Sequence, residues 1–69
     1  MMYIFSNDYK GCESKDLSLN LYHMRTFYLG KNSSLYFEHT NTYETLTFDT
    51  QENATFAYQS ITGMLKALQ

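Results

Sequence analysis

Cysteine occurs once in this chain, at Cys12, and proline and tryptophan do not occur at all. A single cysteine excludes an internal disulfide, and the composition points to a reducing, cytosolic setting rather than a secreted disulfide scaffold. Long apolar runs are also missing. The opening "MMYIFSNDYK" has an apolar run of five residues and no basic segment before it. That excludes a signal peptide and a membrane span as readings of this segment. Without secretion, the glycosylation patterns "NSS" at Asn32 and "NAT" at Asn53 are chance matches. Basic charge is scarce. Five Lys and Arg are scattered at Lys10, Lys15, Arg25, Lys31 and Lys66, against seven acids, for a net charge of −2. A nucleic-acid binder normally carries a basic patch, so that class is disfavoured. Seven acids do not make a polyanion or a DNA mimic either.

What is present is aromatic. Seven Tyr and five Phe make up 17% of the chain, and such content argues against disorder. Sixty-nine residues make one small domain, residues 1–69. A chain of this size buries only ~60% of the surface its unfolded form exposes. Small scaffolds supplement such a core with disulfides, a metal or a partner chain.

The spacing of apolar residues predicts the elements. Residues 2–6, "MYIFS", read as a short strand, and the polar "NDYKGCESKD" as a loop. Leu17, Leu19 and Leu21 alternate, either as a strand or as an extended entry into a turn at "NLYH". Residues 24–29, 35–39 and 42–48 read as three strands rich in aromatic and β-branched residues. They are joined by a turn at "GKNSS", where Gly30 and Asn32 suit positive φ, and a tight turn at "TNT" with Asn41 as the left-handed residue. Hairpin-length turns favour antiparallel pairing. The period then changes to helical, and a helix is predicted from about Thr50 to Leu68. Asp49, three residues before Glu52, has the logic of a capping box, with Thr50 the competing cap. Gly63 is the helix's weak point. The expected fold is α+β: a three- to four-stranded antiparallel meander with one C-terminal helix across one face.

Alternation assigns the faces of the sheet. Phe27, Leu29, Leu35, Phe37, Leu46 and Phe48 form the core face. Tyr28, Tyr36 and Tyr43, among threonines, form the outer face. On the helix, Ala54, Ala57, Tyr58, Ile61, Met64, Leu65 and Leu68 fall in the arc that covers the sheet. Phe56, Ser60, Gly63 and Ala67 fall in a separate arc. Either Phe56 folds over the sheet edge, near Tyr3 or Phe5, or this arc meets another helix. Tyrosines on an open strand face either suit exposed strands in general or form a contact surface, since Tyr is enriched at binding hot spots.

No catalytic or metal constellation accompanies these surfaces. His23, His39 and Cys12 share no ligand spacing. Cys12 has no histidine near it in sequence and no helix start to activate it. Glu38 and Glu44 fall on opposite faces by parity, which does not support a carboxylate pair. A chain this short also has little room for a cavity of several hundred Å³. The expectation is therefore no enzyme, no cofactor and no metal.

The run from Leu19 to Ile61, in which the last strand ends on Phe48-Asp49-Thr50 before an acidic-capped helix, resembles a layout that recurs in short uncharacterised bacterial and phage proteins. The resemblance implies an α+β fold and transfers no catalytic residue. With small size and no enzyme motif, it fits an accessory protein of a phage or mobile element. The function expected is a small cytoplasmic interaction protein that binds and modulates another protein and forms a homo-oligomer. The alternative is a nucleic-acid-binding regulator that reads single strands on the tyrosine face.

Overall fold

The computed structural model describes residues 3–14, 17–39 and 42–67. Its elements are β1 (Tyr3–Phe5), a 3₁₀ turn (Ser6–Asp8), β2 (Ser18–Asn20), a second 3₁₀ turn (Leu21–His23), β3 (Thr26–Leu29), β4 (Ser34–Glu38), β5 (Tyr43–Thr47) and α1 (Gln51–Ala67). The fold is α+β, as the spacing predicts. Met2, Asn41 and Leu68, each assigned a place from the sequence, lie outside the described residues.

β3, β4 and β5 form an antiparallel meander in that order. The register pairs Phe27 with Phe37, Leu29 with Leu35, and Leu35 with Leu46, so one apolar row runs across all three strands. β1 and β2 form a separate antiparallel pair, with Ile4 opposite Leu19. The "LSLNL" stretch is thus both a strand and a turn entry. Leu19 and Leu21 are buried, and the Asn20 side chain accepts the Tyr22 N–H at 3.0 Å to start the turn.

α1 closes the apolar face. Ala54, Ala57 and Ile61 are buried against Leu35, Phe37, Leu46 and Phe48, and Ile4, Leu19 and Leu21 complete the cluster. Tyr58, Met64 and Leu65 pack at its margin. Phe27 lies between Phe37 and Tyr58, with ring centroids 4.9 and 5.0 Å away. Both small alanines on the buried stripe let the helix approach the sheet closely.

Two local expectations are corrected. The helix cap is Thr50, whose hydroxyl accepts the Asn53 N–H at 3.1 Å. Asp49 instead accepts the Asn53 side-chain amide at 2.8 Å, while its own N–H donates to the Gly11 carbonyl at 2.9 Å. That long-range bond fixes Asp49 outside the helix and hands the capping position to the next residue. In the β3–β4 turn the residue with positive φ is Ser33, at 59°, not Gly30 or Asn32. Ser33 is held from both sides. Its N–H donates to Gln51 Oε1 at 2.8 Å, and its carbonyl accepts the Phe48 N–H at 2.8 Å. These bonds, one to the helix start and one to the residue after β5, offset the cost of a left-handed serine.

Candidate functional site

The outer face of the meander carries the tyrosines, as parity requires. Tyr28 sits opposite Tyr36, and Tyr36 opposite Thr45; Glu38 sits opposite Tyr43. The rings of Tyr28 and Tyr36 stack at 5.1 Å with 22° between their planes. The Tyr36 hydroxyl donates to Asn32 Oδ1 at 3.1 Å. Its ring also lies over Gly30, where an added Cβ would collide with Tyr36 Cε2. Glycine at position 30 therefore makes room for a ring, which is a different role from supplying positive φ. Tyr28 is 48% exposed and Tyr43 70% exposed. The pair is held in place with Tyr28 open to solvent and Tyr36 half-buried, and α1 occupies only the opposite face.

The helix face is also bare. Phe56 is 62% exposed, and Ser60, Gly63 and Ala67 are exposed. A Cβ built on Gly63 meets nothing within 4 Å. Phe56 borders a hollow of about 310 Å³ that it shares with Asp8, Tyr9, Lys10, Glu52, Asn53 and Ala57. It therefore faces the loop after β1 rather than Tyr3 and Phe5, whose rings stack on each other at 6.5 Å. Tyr9 was not singled out by the sequence. It packs beside the core, and its phenol lies against the Ser60 hydroxyl. Burial raises the Tyr9 pKa first and the charge of Asp8 raises it further; the neighbouring Ser60 hydroxyl acts in the opposite sense.

A larger hollow, of about 480 Å³, opens where α1 passes the end of β3. The short chain gave little reason to expect one. It is lined by Leu21 and Tyr22 of the second 3₁₀ turn, Met24 and Arg25 after it, Thr26 and Phe27 of β3, and Tyr58, Thr62 and Leu65 of α1.

His23, His39 and Cys12 sit on separate elements: a 3₁₀ turn, the end of β4, and an isolated bridge to Phe48. Among the described residues, no three His, Cys, Asp or Glu come close enough to hold a metal ion. Glu44 pairs with Phe37 and Glu38 with Tyr43, so the two carboxylates face opposite sides of the sheet. No helix among the described residues is long and apolar enough to cross a membrane. Compared with protein-family models, with curated proteins and with solved structures, the chain matches none.

Proposed function

We propose that this chain is a small, non-enzymatic interaction protein of the cytoplasm that binds another protein through its outer sheet face and modulates it. The observation that carries this reading is the Tyr28–Tyr36 stack, ordered by Gly30 and Asn32, with Tyr28 exposed and Tyr36 half-buried. Rigid, half-open tyrosines supply contact area at low entropic cost, which is why they recur at hot spots. An origin in a phage or mobile element accords with the small size and the resemblance noted above. Replacing Tyr28, Tyr36 and Tyr43 together with Ser should leave a folded protein that no longer recovers its partner in a pull-down. An unfolded triple variant would remove the reading. Salt-dependent binding of a generic oligonucleotide to the wild type, lost in the same variant, would replace it with the single-strand regulator.

The reading includes self-association through the helix face of Phe56, Ser60, Gly63 and Ala67, which leaves the tyrosine faces free. Exposure of Phe56 supports it. An uncovered Phe forgoes roughly 1.5–3 kcal/mol of burial, and a two-fold dimer is the commonest way to recover that. Sedimentation at ~100 μM, well above a typical micromolar Kd, should show a dimer that Gly63→Glu converts to monomer. A clean wild-type monomer at that concentration would rule the dimer out.

A further inference from the structure

The two edges of the meander are unlike. Along β5 runs the segment Cys12–Ser14. Glu13 N–H donates to the Thr47 carbonyl at 2.7 Å, and Ser14 Oγ accepts the Thr47 N–H at 3.1 Å and donates to the Thr45 carbonyl at 3.4 Å. β3, at the other edge, pairs only with β4 among the described residues. Gly30 N–H donates to the Ser34 carbonyl at 2.8 Å at the hairpin end. By the alternation of an antiparallel ladder, Tyr28 then bonds β4, and the N–H and C=O groups of Phe27 and Leu29 point away from it.

Beside that open edge lies the 480 Å³ groove. Its apolar walls include Leu21, Phe27, Tyr58 and Leu65, and the Thr62 hydroxyl oxygen is buried there without a hydrogen-bond partner. Arg25 is the one charged residue in the lining, and it is exposed. No carboxylate shares the groove, and Glu38 lies on the outer face of the sheet.

We infer that this groove takes an extended peptide segment of another protein, which adds to β3 as a fourth strand. The segment places an apolar side chain between β3 and α1 and a glutamate or aspartate side chain on Arg25. The three features ask for different chemistry: the edge for backbone donors and acceptors, the hollow for an apolar side chain, the guanidinium for a carboxylate. An extended peptide supplies all three, as in strand addition generally. A second copy of this chain fits less well. Its β3, Thr26–Leu29, carries no carboxylate, so pairing β3 with β3 leaves both arginines uncompensated. The inference stands apart from the tyrosine face, on the other side of the sheet, and either can fail without the other.

The test is a titration of the ¹⁵N-labelled full chain followed by amide shifts and amide exchange. The probe is an N-acetylated, C-amidated octapeptide of valine alternating with threonine, with one valine replaced by glutamate. The control peptide has glutamine there. Shifts should centre on β3 and Thr62, and the Phe27 and Leu29 amides should become protected from exchange. The glutamate peptide should bind about two- to fivefold more tightly than the control, as expected for one exposed ion pair. Arg25→Gln, whose spectrum reports its folding directly, should erase that difference. Absence of binding at millimolar peptide, or equal affinity for both peptides, would overturn the inference. So would shifts confined to the tyrosine face, or concentration-dependent β3 shifts without peptide, which would give the edge to a second copy.

Discussion

At the scale of single residues, the start of α1 shows how neighbours divide a task. Asp49 and Thr50 both have the chemistry of a helix cap, and the sequence narrows the start to that pair. The choice between them depends on Gly11, thirty-eight positions before Asp49 (49 − 11), whose carbonyl takes the Asp49 N–H. Thr50→Ala should therefore lower stability by about 1 kcal/mol, read as a lower denaturant midpoint, with Thr50→Ser restoring most of it. An unchanged midpoint would show that the Thr50 hydroxyl contributes nothing to the helix start. The same logic explains Ser33. Local propensity favours glycine or asparagine for positive φ, but the bonds from Gln51 and Phe48 fix the strained residue one position beyond Asn32.

Among the elements, the meander and the helix were legible because each carries a clean period. Two-residue alternation in residues 35–39 and 42–48 assigns every core and tyrosine position to the face it occupies. The helical arc from Ala54 to Leu65 likewise matches the buried and half-buried side. The segment from Ser6 to Ser14 was not legible. It has no period, and its role along β5 depends on bonds such as Ser14 to Thr47, thirty-three residues apart. Hence the Phe56 hollow, the Tyr9–Ser60 contact and the covered β5 edge escaped the sequence, whereas the exposed tyrosines did not. Gly11 is the pivot of this segment. Its φ is +77°, and an added Cβ would run into the Asp49 carboxylate and the Asn53 amide. Gly11→Ala should lower stability by more than about 1 kcal/mol, since it adds a collision to an unfavourable φ. Gly63→Ala, with open space around it, should raise stability by up to ~1 kcal/mol. Thermal melts of the two variants should move in opposite directions; movement in the same direction would contradict the packing at one of the two sites.

For the molecule as a whole, the Tyr9 phenol links stability to alkaline pH. Its pKa in the fold is raised, chiefly by burial and then by Asp8. Ionising it is harder in the folded chain than in the unfolded one, where a tyrosine titrates near ~10. The associated stability is complete below about pH 10 and is lost as pH rises through the folded value. Tyr9→Phe should flatten part of that alkaline decline in denaturant midpoints measured across the range. Parallel declines in variant and wild type would assign the loss to other groups.

The Cys12–Ser14 segment has a consequence for crowded solutions. Strand edges are where sheet proteins recruit one another into fibres. Endless growth needs two adhesive ends on every unit, one to join and one to be joined. In this meander the Thr45–Thr47 stretch of the β5 edge is already occupied by the chain's own residues, which leaves β3 as the open edge along its whole length among the described residues. Two molecules can meet there, but a third that approaches β5 must first displace Glu13 and Ser14 from Thr47. Nine residues without regular period, from Ser6 to Ser14, thus act as a brake on growth through this sheet.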